Sequence, residues 1–152
     1  MTLETAIFSQ AHRRLGAPYL WAAKGDWCVR GGIVVPTADL GAVWATDCSG
    51  LVTTSIHAAG GPDLRGMWGS ERMRVELPEP QSDETLLILC YPGHVAFGLG
   101  GTSYALEAAG GDATTLTVPD ALKRGAFVQF GPATHGPRPT AVRSLRALVA
   151  QK

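Results

Sequence analysis

Apolar residues recur at every fourth position at the start of the chain: Leu3, Ile7, Ala11 and Leu15. That spacing predicts an amphipathic helix over residues 2–15, with Gly16 and Pro18 stopping it. The His12-Arg13-Arg14 group then falls at its polar end and reads as a solvated face. Between residues 25 and 45 the periodicity is lost. Gly25, Gly31, Gly32, Pro36 and Gly41 predict an irregular excursion, with Gly32-Ile33-Val34-Val35 as its one strand. Leu51, Val52, Ile56 and Ala59 restore a helical stripe and predict a second helix near residues 47–59. Thr46 or Asp47 is its N-cap, and Gly60-Gly61-Pro62 its end. The polar stretch 62–84, with Pro78 and Pro80, is expected to be a surface connection.

Beyond that stretch the period shortens to two. Leu86 to Leu89 is a short apolar run, and Val95, Phe97 and Leu99 alternate with small residues. Tyr104 to Ala108 predicts a return strand and Ala126–Phe130 a further one. After Pro139, Val142, Leu145, Leu148 and Val149 return to helical spacing. Helix, excursion, helix and then antiparallel strands make an α+β arrangement.

Composition narrows the function classes. A chain of 152 residues suits one domain, residues 1–152. Thirteen basic residues balance thirteen acidic ones, whereas an electrostatic nucleic-acid binder shows a basic excess. No apolar run approaches the roughly 18–20 residues that span a bilayer, so no membrane partner is expected. Glu4 and the lack of a basic-then-apolar order make the amino terminus unlike a secretory signal. Cys28, Cys48 and Cys90 are an odd number without a C-x-x-C pair, which argues against both a disulfide framework and a zinc site.

The chemistry centres on "ATDCSGLV", residues 45–52. If Asp47 caps the second helix, Cys48 lies in its first turn, where backbone N–H groups and the helix dipole favour a thiolate. Gly50 lets another part of the chain approach that helix end. Alone this is suggestive only, since an unpaired cysteine is more often inert. A nucleophilic thiol needs a base. His57, nine residues on in the same helix, lies roughly 13 Å along the axis and on the opposite face. His12 belongs with the basic group, and His135 lies in the loop "THGPRP". His94 begins "GHVAFGLGG", a strand that sets His94, Ala96 and Gly98 on one face and the apolar Val95, Phe97 and Leu99 on the other. Small neighbours are expected to leave that histidine on an open surface. A two-residue turn at Gly100-Gly101 would pair His94 with Glu107 and set a carboxylate beside the imidazole. A three-residue turn would make Glu107 a diagonal neighbour instead.

The segments "LGAPYLWAAKG", "TDCSGLV" and "PGHVAFGLGGTSYALEA", in that order over roughly residues 3–110, resemble the NlpC-type cysteine peptidases of the papain-like superfamily. The resemblance implies a papain-like domain with a catalytic helix packed on an antiparallel sheet. It makes Cys48 the nucleophile and His94 the base, and puts Glu107 where the family has a third polar residue, frequently histidine. Tyr19 matches a tyrosine beside the nucleophile. Asp47 and Ser49 match positions that line the substrate site and in many members hold the free amine of a stem peptide. The implied activity is cleavage of a peptidoglycan amide, commonly the bond after a γ-linked D-glutamate, without metal or cofactor. Acyl transfer by the same fold, or a silent binding module, are the alternatives. Two features depart from the family: Trp21-Ala22-Ala23 stands where "WGG" is usual, and the insertion 26–45 precedes Cys48. Its Trp27 and Trp44 either wall the groove or pack against the domain; Cys28 and Cys90 match nothing catalytic. Residues 132–152 are expected to be a tail ending in a helix. With neither a signal nor a wall-binding domain expected, a phage-encoded enzyme or one delivered by a secretion machine would act on the wall after leaving the cytoplasm. A virion component, a secretion machine or an immunity protein would then be its protein partner.

Overall fold

The computed structural model describes residues 1–151. Helix α1 (Leu3–His12) is capped by Thr2, whose hydroxyl accepts from the Thr5 N–H. Only Ile7 and Ala11 of its apolar repeat are buried, while Leu3 and Leu15 at the two ends stay exposed. The excursion is better ordered than its glycines suggest. It contains β1 (Lys24–Gly25), β2 (Trp27–Arg30), β3 (Ile33–Pro36), a 3₁₀ turn (Thr37–Leu40) and β4 (Ala45–Thr46). β2 and β3 form an antiparallel hairpin. Its turn is Gly31-Gly32, both at positive φ as a tight primed turn demands. β1 pairs with β4. Leu20, Ala23, Cys28, Ala42 and Ala45 give this part a small core of its own.

Helix α2 (Cys48–Ala58) is buried on every side from Cys48 to Ile56, because α1, β1 and the main sheet all pack against it. Its first turn has a tight constraint. A Cβ on Gly50 would lie 2.5 Å from the Ala23 carbonyl oxygen and 2.5 Å from the Thr46 hydroxyl. Glycine at this position lets the β1–β4 pair close on the helix end, as the sequence suggested.

The expected surface connection 62–84 is partly wrong. It contains α3 (Ser70–Glu76), and Leu64, Trp68, Met73 and Leu77 are buried under it. The arginines and glutamates on the outer side of this short helix mask an apolar spacing of only four residues. The main sheet consists of β5 (Leu86–Tyr91), β6 (His94–Leu99), β7 (Tyr104–Ala109), β8 (Phe127–Pro132) and β9 (Ala141–Arg143), in the order β8-β7-β6-β5-β9. All neighbours are antiparallel. Before β8 comes α4 (Val118–Arg124), which the hydrophobic pattern missed although Thr117 and Asp120 form a capping box. The predicted tail helix divides: Val142 belongs to edge strand β9, and α5 (Leu145–Val149) buries Leu145 and Leu148. The α+β arrangement is the one expected.

The β6–β7 register corrects one inference. Phe97 faces Leu106 and Gly98 faces Ala105, so continuing the ladder sets Ala96, not His94, opposite Glu107. The loop is Gly100–Ser103, twice the expected two residues. A slip of two preserves the side of the sheet on which a residue lies, and Glu107 therefore stays on the His94 face as a diagonal neighbour.

Gly50→Ala is expected to lower stability by about 1–3 kcal/mol through overpacking at the start of α2. Chemical denaturation measures this, and an unchanged midpoint would contradict the close approach described.

Candidate active site

Asp47 ends the extended β4 segment and caps α2, its Oδ1 accepting from the Gly50 N–H at 2.7 Å. This fixes Cys48 as the first helical residue, with a backbone N–H that has no intrahelical acceptor. Its sulfur lies 3.9 Å from the carbonyl oxygen of Gly93, just before His94 opens β6. His94 Nε2 is 3.0 Å from Glu107 Oε1, which leaves Nδ1 for the thiol. Burial opposes a charge on His94, but the hydrogen bonds and negative charges of Cys48 and Glu107 outweigh it and raise the pKa to about 9. Glu107 is almost wholly buried. Burial would raise its pKa, yet hydrogen bonds from His94 and Thr134 hold it below the ordinary carboxylate value. The structure thus brings together the three residues read from the sequence: a cysteine sulfur, an imidazole whose surroundings favour its protonated form, and a carboxylate behind it whose surroundings favour ionisation.

The open surface expected around His94 is not observed. His94 and Ala96 are 5% and 1% exposed, because the segment after β8 folds over this face. Thr134 donates from its backbone N–H to Glu107 Oε2 at 3.2 Å and from its hydroxyl to Oε1. His135 stacks on His94, with centroids 4.0 Å apart and planes at 11°. Tyr91 holds the loop by donating to the Gly136 carbonyl at 2.7 Å. Burial and the neighbouring His94 charge both lower the His135 pKa, so a neutral ring covers a charged one. Thr134 and His135 were missed as functional residues. "THGPRP" has no periodicity, and only the need of a buried Glu107 for donors could have pointed to them.

Tyr19 is buried beside Cys48 and pairs with Thr46 as an isolated parallel bridge. Burial, then the negative charges of Cys48, Asp47 and Asp112, raise its pKa far above the ordinary phenol value. It remains a donor at any physiological pH. Gly111 packs on the Tyr19 ring, where a Cβ would come within 2.1 Å. Asp47 and Ser49 flank Cys48 as expected, but both are engaged by Lys24, whose Nζ is 2.6 and 2.8 Å from the Asp47 oxygens and 3.3 Å from Ser49 Oγ.

The other candidates lie apart from this cluster. His12 stacks on Phe8, and His57 is exposed in the last turn of α2. Trp44 lies under the Arg14 guanidinium, 4.3 Å from its centroid, and Trp27 rests against Gly66; both pack against the domain. The donor atoms of His94, Glu107 and His135 fall within 4.8 Å of one another. A shared ion, however, needs converging lone pairs, and stacked rings direct theirs along parallel planes. The cluster is better suited to holding a proton than a metal.

No family model and no curated protein matches the sequence. Solved structures do. The peptidoglycan hydrolase RipB of Mycobacterium tuberculosis is 21% identical, with a TM-score of 0.57 over 94% of this chain and 64% of RipB. The chain thus spans somewhat less than two-thirds of that protein. The NlpC/p60 domain of the peptidoglycan hydrolase SagA is 22% identical, with a TM-score of 0.55 over 93% of this chain and 97% of that domain. RipD of M. tuberculosis, a non-catalytic NlpC/p60 domain protein adapted to peptidoglycan binding, is 20% identical, with a TM-score of 0.52 over 93% of each chain. This chain has the NlpC/p60 fold.

Iodoacetamide at neutral pH should label Cys48 well before the other two thiols. Cys28 and Cys90 are fully buried, and burial pushes Cys90 up to about 11 and Cys28 upward as well. Mass spectrometry of the folded protein reads the order, and equal labelling of all three would count against an activated Cys48.

Proposed function

We propose that the chain is a cysteine hydrolase of peptidoglycan stem peptides, cutting the amide after a γ-linked D-glutamate. The observation that carries this reading is the buried Cys48–His94–Glu107 chain, in which His94 Nε2 lies 3.0 Å from Glu107 Oε1 and the Cys48 sulfur lies 3.9 Å from the carbonyl oxygen of Gly93, the residue before His94. RipB and SagA, hydrolases of peptidoglycan with the same fold, support the substrate class. In this mechanism the Cys48 sulfur adds to the carbonyl carbon. The oxyanion is met by the Cys48 N–H and the Tyr19 phenol. His94 gives its proton to the leaving amine as the C–N bond breaks, leaving a thioester. It then takes a proton from water, which displaces the sulfur and releases the acid. Glu107, buttressed by Thr134, keeps the imidazole turned with Nδ1 toward the sulfur throughout. The wall would be reached through phage release or a secretion machine, and holin, tail or secretion genes beside the coding sequence support that route.

Product analysis with purified muropeptides tests the reading. Cleavage supports it; transfer to an added amine, or binding without turnover as in a RipD-like module, would overturn it. Cys48→Ala should abolish turnover and keep the fold. Glu107→Gln and Glu107→Ala should lower kcat by about 10–10³-fold, alanine more than glutamine. The active form carries protonated His94, so kcat/KM should fall as pH rises through about 9. Glu107 raises that pKa by stabilising the charge. Its neutralisation should therefore move the alkaline limb to lower pH, and an unmoved limb would remove Glu107 from the mechanism.

A further inference from the structure

Lys24 reaches the helix end from β1, where it pairs with Thr46. Its side chain is only 11% exposed and forms an ion pair with an Asp47 side chain that is 12% exposed. Three acceptors surround it: Oδ1 and Oδ2 of Asp47 at 2.6 and 2.8 Å, and Ser49 Oγ at 3.3 Å. An ammonium has three hydrogens, so it is saturated. Asp47 Oδ1 is filled as well, since it also accepts from the Gly50 N–H and lies 3.4 Å from the Ser49 hydroxyl, and Oδ2 is held by Lys24. The two side chains that flank the nucleophile therefore already hold a cation, and that cation is covalently part of the chain.

We propose that Lys24 is a specificity-determining residue: its ammonium occupies the place between Asp47 and Ser49 that a substrate amine would take, so the substrate is a stem peptide whose amino terminus is acylated. The inference rests on the reading of Cys48 as the nucleophile of a stem-peptide hydrolase, and on the resemblance that puts a substrate amine beside Asp47 and Ser49. A second ammonium arriving here would find the carboxylate neutralised and would meet a like charge at short range, in a site shielded from water. An amide at the same position brings no charge and needs no counter-ion. The natural substrate is then a stem still joined through its amino terminus to the glycan, not a fragment already released. The fixed position of Lys24 comes from the β1–β4 pairing, which brings the two ends of the insertion 26–45 together beside Cys48.

The test compares two synthetic stem tripeptides containing γ-linked D-glutamate, one with a free amino terminus and one N-acetylated. The wild-type chain should cleave the acetylated peptide with a kcat/KM at least tenfold higher. Lys24→Gln removes the charge and should shift that ratio at least tenfold toward the free amine. Lys24→Arg keeps the charge and should retain the wild-type preference. Wild-type preference for the free amine, or a ratio indifferent to Lys24→Gln, would overturn the proposal. Calorimetry with Cys48→Ala protein separates it from the hydrolase reading. If neither peptide is cleaved but the acetylated one binds at least tenfold tighter, hydrolysis fails and the role of Lys24 stands. If the free peptide binds as well or better, or if neither binds, the role of Lys24 fails.

Discussion

The carboxylate of Asp47 connects parts of the chain that the sequence keeps far apart. It caps the helix that carries Cys48, receives the ammonium of a lysine from a separate strand, and sits where β4 turns into α2. An ion pair this buried contributes little net stability compared with an apolar pair. Losing one partner is a different matter, because it strands a charge away from water at a cost of about 3–5 kcal/mol. The position of the sulfur is thus set by electrostatic necessity as well as by packing. Gly50 permits the arrangement, since any side chain there would push apart the helix end and the β1–β4 pair.

Behind the sulfur the same logic is repeated on the sheet. Glu107 is an ionised group with almost no exposure, and such a group persists only when it is fully hydrogen-bonded. His94 and Thr134 satisfy it. The imidazole is held in turn by its carboxylate on one edge and by the His135 ring over one face. Two strands and one loop therefore converge on one imidazole.

Much of this was legible in the chain. The cap at Asp47, the glycine at 50, and the shared face of His94 and Glu107 all follow from local spacing, because helix and strand periods fix which side a residue occupies. The face survived an incorrect turn length only because the error was an even number of residues. What was not legible depended on contacts distant in sequence. Lys24 drew no reading from the sequence, since nothing local shows that β1 will pair with β4. The 133–136 loop was read as the start of a tail, with nothing local to tie it to Glu107. α3 and α4, each of seven residues, are too short for periodicity to stand out, although the Thr117–Asp120 capping box was visible. Most of the insertion hairpin was overlooked because Trp27-Cys28-Val29-Arg30 lacks alternation, although Gly31-Gly32 marked its turn.

The loop that closes over His94 and Glu107 comes late in the chain. Cys48, His94 and Glu107 all precede Thr134 and His135 in the chain, and Thr134 supplies two of the three hydrogen bonds to the Glu107 carboxylate. Without Thr134 the buried carboxylate would keep His94 as a partner but lose two of its hydrogen bonds, which favours its protonation. The electrostatic surroundings of Cys48 and His94 are therefore complete only when the chain extends through the loop after β8, which makes a segment outside the helix and the two strands part of the same charge balance.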